Sequence, residues 1–196
     1  MALYASLTLL KASMKITAAD RDELLTQALT AASRMVDSYT GRPVDGFTAA
    51  GSATARTFNP VGRITPDGWL LVDDIGSTTD LVVETGTTGA WTAITDYETG
   101  PDNAIAYGRP ITSLARPTIG WPLVGAERVR ITARWGWPSV PDQVVQATLI
   151  QALRLYRRKD SPEGVAGAGD FGVVRLARVD PDVAALLSAF VIPGFA

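Results

Sequence analysis

Arg128-Val129-Arg130-Ile131-Thr132-Ala133-Arg134-Trp135-Gly136-Trp137-Pro138, running on to Pro141, is the stretch that decides the fold. Val129, Ile131, Ala133 and Trp135 alternate with Arg128, Arg130, Thr132 and Arg134. One face is apolar and the other wet, the pattern of an antiparallel sheet covered on one side. A few residues later the period changes. Pro141 is a favoured first helical residue, and Asp142 supports the first turn. Val144, Val145, Leu149, Ala152, Leu153 and Tyr156 then form a stripe at helical spacing. The stripe ends in Arg157-Arg158-Lys159, three cations that complement a helix C-terminus. A β region therefore hands over directly to a helix.

Upstream of the β region the chain is helical. Ser6 can cap a short first helix carrying Leu7, Leu10 and Met14. Thr17-Ala18-Ala19-Asp20 reads as a capping-box variant, with Thr17 at the N-cap. Leu24, Leu25, Ala28, Leu29, Ala32, Met35, Val36 and Tyr39 share one face, which predicts an amphipathic helix from Ala18 to about Tyr39. Gly41 is a natural residue just past its end, and Pro43 prevents continuation. Because each stripe is too apolar to leave wet, this helix and the one at about 141–159 should pack together through Leu25, Leu29, Val36, Val145, Leu149 and Leu153.

Between them the texture is that of strands and turns. Candidate strands are 53–58, 69–72, 81–85, 91–94, 111–114 and 128–135. The turn signals are Pro66-Asp67-Gly68, Gly76-Ser77-Thr78-Thr79, Gly86-Thr87-Thr88-Gly89 and Gly100-Pro101-Asp102-Asn103. Past the third long helix, Ser161 to Ala168 is small and Gly/Pro-rich, with Gly164, Gly167 and Gly169 spaced like a hinge. Phe171 to Val179 reads as extended. Asp180-Pro181-Asp182 starts a final short helix through Phe190, and Val191 to Ala196 is an apolar tail. The fold class is α+β: a small α-helical bundle with an inserted antiparallel β module and an extended C-terminal segment. The expected parts are 1–43 as N-terminal core helices, 44–135 as the β module, 136–160 as the third core helix, and 161–196 as loop, extended segment, short helix and tail.

Composition narrows the function. The chain has 196 residues, 46% hydrophobic and 19% charged, so it can bury a core without staples. Cysteine and histidine are both absent. That removes disulfides, thiolate and imidazole metal sites, cysteine nucleophiles and every Ser-His pair. No apolar run approaches the roughly 20 residues that span a bilayer, and the order of charges at the N-terminus is wrong for a secretory signal. The chain reads as soluble and cytoplasmic, with no membrane partner.

Charge is segregated. Residues 43–127 hold four basic against ten acidic groups, and residues 128–178 hold nine against four. This suggests surfaces that face different partners, or one another between subunits; the plainer reading is a surface kept soluble. Asp73-Asp74, an adjacent acidic pair in the middle segment, reads as a solvated turn rather than a metal or acid–base site. Trp121, Trp135 and Trp137 read as packing at the sheet-to-helix junction in preference to a ligand platform. Arg154, Arg157, Arg158 and Lys159 suit an inter-subunit or partner contact better than DNA reading.

Several strings, in their order, resemble one family. They are Ala31-Ala32-Ser33-Arg34 with Asp37-Ser38-Tyr39-Thr40-Gly41-Arg42, then Leu70-Leu71-Val72-Asp73-Asp74-Ile75. Arg134-Trp135-Gly136-Trp137-Pro138 leading to Leu155-Tyr156-Arg157-Arg158 follows. Asp160-Ser161-Pro162-Glu163-Gly164-Val165-Ala166-Gly167 and Asp180-Pro181-Asp182-Val183 complete the set. Over essentially the whole chain it is similar to the head–tail connector (adaptor, or head-completion) proteins of long-tailed bacteriophages of actinobacteria.

The resemblance implies a structural virion protein of the neck, assembled in the host cytoplasm. It implies a ring, normally of twelve copies, beneath the portal, extending the DNA channel and meeting the next neck (stopper) or tail protein. DNA is expected to pass without sequence-specific binding, and no enzyme activity, metal or cofactor is expected. The alternative is a monomeric carbohydrate- or peptide-binding β module using exposed tryptophans. The residues assigned to portal, partner or inter-subunit contact are Arg157, Arg158, Lys159, Phe171, Val173, Val174, Leu176, Leu186, Leu187, Phe190, Ile192 and Phe195. Deleting 180–196 is expected to leave the helical body folded while abolishing attachment to portal-bearing capsids.

Overall fold

The computed structural model describes residues 1–123, 125–158 and 180–192. The chain divides into two compact units, one of Met1–Asp45 with Val140–Ala196 and one of Gly46–Ser139. Among the described residues there are four α-helices and six strands, so the fold is α+β. The extended segment expected at 171–179 lies outside the described residues.

The first unit is helical. Its helices are α1 (Leu7–Met14), α2 (Asp22–Thr40), α3 (Asp142–Arg158) and α4 (Pro181–Leu187). Ser6 caps α1 as expected, its hydroxyl accepting from the Leu9 amide at 3.2 Å. α2 begins later than Ala18. Lys15 ends α1 in the left-handed region, Ile16 turns back onto the core, and residues 17–21 cross to the next helix. Thr17 is thus too early to cap. Asp22 and Glu23 in the first turn complement the dipole instead, and Asp22 Oδ1 lies 2.5 Å from Lys11 Nζ. At the other end Gly41 adopts φ +72°, which a side chain would strain, and its amide closes on the Asp37 carbonyl.

α2 packs on α3, as their two stripes require, with α1 against both. Leu10, Leu25 and Leu29 are fully buried, together with Ala32, Ala152 and Tyr156. Val145, Leu149 and Leu153 are half-buried against this core, and Val36 is buried. Burying apolar area at about 25 cal/mol per Å² makes this the main stabilising force in the unit.

The second unit is an antiparallel sheet ordered β1-β6-β2-β5-β4, with β3 also pairing β2. Its strands are β1 (Thr54–Phe58), β2 (Trp69–Thr87), β3 (Ala90–Ile94), β4 (Glu98–Gly100), β5 (Ile111–Ala115) and β6 (Arg128–Trp135). β6 alternates as its sequence requires, with Val129, Ile131, Ala133 and Trp135 buried. They join Phe58, Leu70, Ile75, Val83, Ile111, Leu114 and Trp121 in one core.

Two expectations fail here. Gly76-Ser77-Thr78-Thr79 is not a turn; 69–72 and 81–85 are halves of one long strand. From Ile75 to Gly86 β2 keeps β6 on one side and absorbs the Gly/Ser/Thr run as two register shifts, at Ile75/Ser77 and Ser77/Val82. On its other side the partner changes from β5 to β3. Irregular pairing, not chain reversal, consumes the turn-forming residues. The other failure is an omission: Glu98–Gly100, absent from the candidate strands, is a short strand paired with β5. Gly136, in the opening string, has φ +115°, and a Cβ there would meet the Thr48 carbonyl oxygen at 2.1 Å. Only glycine fits that close approach.

Candidate assembly surfaces

Of the residues assigned to partner contact, Lys159, Phe171, Val173, Val174, Leu176 and Phe195 lie outside the described residues, as do Gly164, Gly167 and Gly169. The others are placed. Arg157 and Arg158 are exposed at the end of α3. Arg154, one turn earlier, is mostly buried and turned to Asp180, its Nη1 3.7 Å from Oδ2. The basic helix end is thus divided between an internal contact and an outward pair.

The last helix belongs to its own unit. Asp180 caps α4, accepting from the Asp182 amide at 2.9 Å. Val183 and Leu187 are buried where α4 meets α3 and α2. Leu187 is therefore a core residue of this chain and not an outward contact. Leu186, Phe190 and Ile192 are half-buried. The segment is tied down further: Arg42 Nη1 donates to the Phe190 carbonyl, and the Ile192 amide donates to the Thr40 carbonyl at 2.9 Å.

Beside α2 lies a polar cluster that sequence reading missed. The Tyr4 hydroxyl donates to Asp37 Oδ1, Tyr4 N donates to Ser33 Oγ, and Arg34 bridges to Asp45 at 2.6 Å and to Asp37 at 3.4 Å. Burial pushes the Asp37 carboxyl up, against the opposing pull of the Tyr4 hydrogen bond and the Arg34 charge. Asp45 loses less to burial, and the Arg34 hydrogen bond holds it below the ordinary carboxylate value. The signal available was Asp37 on the apolar side of α2, where a charge needs partners. The cluster ties the N-terminal arm to α2.

In the sheet unit, the acids of the middle segment and the arginines of β6 meet inside one chain. Arg130 forks onto Glu84, both contacts at 2.6 Å, and lies over the Trp91 ring at 4.7 Å. Arg134 pairs with Asp80 at 2.7 Å, and within the middle segment itself Arg56 of β1 pairs with Asp73 at 2.7 Å. The Arg130 hydrogen bonds hold Glu84 below the ordinary value. The charge segregation thus reflects, for these groups, cross-strand pairing within a sheet rather than separate surfaces or a contact between subunits.

Asp73 and Asp74 lie in β2, not in a solvated turn; Asp74 Oδ2 accepts from Trp137 Nε1 at 3.0 Å. Among the described residues, no three His, Cys, Asp or Glu side chains group in a way that could hold a metal ion. No described helix is long and apolar enough to cross a membrane.

Trp121, Trp135 and Trp137 are each under a tenth exposed. Trp135 packs at a tilt against Phe58 and Trp137 against Phe47, with centroids 5.9 and 5.6 Å apart. They pack, as their place at the sheet-to-helix handover suggested.

No family model matches this chain. No curated protein matches it either. Among solved structures, a chain in the neck of an empty gene transfer agent (GTA) particle, computed with C6 symmetry, superposes with a TM-score of 0.56 at 19% identity, over 100% of this chain and 97% of that one. A chain in the virion of a native gene transfer agent particle superposes with a TM-score of 0.51 at 21% identity, over 98% and 94%. At such identities the likeness is one of fold. This chain, end to end, shares its fold with a chain from the neck of a gene transfer agent particle.

Proposed function

We propose that this chain is a structural subunit of the neck of a phage-like particle: an adaptor that forms a ring beneath the portal, extends the DNA channel and joins the head to the next neck or tail protein. The observation that carries this is the full-length fold match to a neck chain, over 100% of this chain and 97% of that one. A fold alone does not fix a function. Here the match agrees with the adaptor-like strings quoted above. The matched neck was computed with C6 symmetry, a symmetry that rings of six or of twelve copies both satisfy; twelve is the number the resemblance implies.

The role asks nothing of histidine, cysteine or a metal, and needs no sequence-specific grip on DNA, which would brake its passage. Arg157 and Arg158, exposed at the end of α3, remain the described cations best placed for a partner. Leu186, Phe190 and Ile192 offer half-buried apolar side chains in the same unit. The reading of a carbohydrate- or peptide-binding β module loses its platform, because Trp121, Trp135 and Trp137 are buried.

The test is to add the purified chain to DNA-filled heads made without it, and to measure binding and copy number by sedimentation and quantitative mass spectrometry. Saturable attachment at one ring's worth of copies per head is expected. Attachment spread over the shell, or none, rejects the reading.

A further inference from the structure

We propose that the β modules of adjacent copies join edge to edge, the outer edge of β1 in one copy pairing antiparallel with the outer edge of β3 in the next; this rests on the ring reading above. Among the described residues, β1 and β3 lie at opposite sides of one four-stranded ribbon, β1-β6-β2-β3. Thr57 stands opposite Arg130, Arg130 opposite Glu84, and Glu84 opposite Ala93. The two edges therefore sit at the same level, at the ends of one rank of residues. Each is five residues long.

An open edge is a row of unpaired amides and carbonyls, and natural sheets usually blunt it with proline, lysine or a bulge. Neither β1 (Thr-Ala-Arg-Thr-Phe) nor β3 (Ala-Trp-Thr-Ala-Ile) carries any of these. The single charge on them, Arg56, is drawn over the sheet, 4.4 Å from the Trp135 ring and 2.7 Å from Asp73. It does not guard the edge.

Strand direction selects between the possible pairings. Every neighbour in the ribbon is antiparallel, so β3 runs opposite to β1. A copy related by rotation about a ring axis along the strands keeps its directions, and sets β3 antiparallel beside β1. The other edge, β4, runs parallel to β1, is three residues long and is followed at once by Pro101, which has no amide to donate. A contact between two different edges is heterologous and propagates around a ring, whereas β1 against β1 would stop at a dimer. One molecule supplies both halves of the seam, so the occupant is a second copy of this chain.

The chain contains no cysteine, so introduced thiols are the only ones in it. Thr57, Ala55 and Ala93 are exposed and share a face. T57C/A93C tests the level register, and A55C/A93C the register two residues along. Each full-length variant is assembled on filled heads, oxidised, and run on a non-reducing gel. A ladder of covalent dimers, trimers and larger species is expected from at least one double variant, and none from T57C, A55C or A93C alone. Monomers from both double variants on heads that carry the ring overturn the edge pairing and leave the ring reading standing. Dimers from T57C or A55C alone show β1 against β1 and also overturn it. If no copies assemble on heads at all, the ring reading fails and takes the seam with it.

Discussion

The backbone amide of Ile192 donates to the carbonyl of Thr40 at 2.9 Å, which fixes the last described residues of the chain to the end of α2. Leu187, five residues earlier, is fully buried. Residues 180–192 are thus part of the helical unit, and deleting 180–196 removes core as well as any docking surface. Leu187→Ala should lower stability by about 2–5 kcal/mol, and Leu186→Ala by clearly less. Urea unfolding followed by circular dichroism decides; equal losses would contradict the placement of α4.

The contact between α2 and α3 joins residues far apart in sequence. Leu29→Ala at its centre should cost about 2–5 kcal/mol, whereas Leu24→Ala, at an exposed position of the same helix, should stay within about 0.5 kcal/mol. The same unfolding measurement applies. A small loss at Leu29 would show that the two stripes do not share a core.

Two carboxyls should give opposite dependences on pH. Glu84 is held below its ordinary 4.5 by Arg130, so its contribution is present above that value and lost as pH falls through the folded one. Asp37 is raised above 3.8 by burial, so its contribution is present below that value and lost as pH rises through the folded one. Relative to the parent chain, Glu84→Gln should therefore look worse as pH rises from 3 to 7, and Asp37→Asn better. Stability curves of parallel shape for both variants and the parent would refute both assignments.

Periodicity carried the long elements. The two-residue alternation of Arg128–Trp135 and the stripe from Leu25 to Val36 need only one buried face each, and both stand as read. What failed depended on partners. Gly76-Ser77-Thr78-Thr79 has turn chemistry, yet β6 runs alongside and keeps it extended. Thr17 has capping chemistry, but Lys15 and Ile16 spend those residues on crossing to α2. Leu187 looked available because the sequence does not show that α3 and α2 would cover it. The Tyr4–Asp37 contact joins an arm to a helix, and no local pattern encodes it.

The central claim, that this chain is a neck subunit, is tested most directly by locating it. Particles carrying a small affinity tag on this chain, imaged by electron microscopy with a gold-labelled ligand, should show label at one vertex, between head and tail. Label over the capsid shell, along the tail or at its tip, or on no particle at all, would contradict the account.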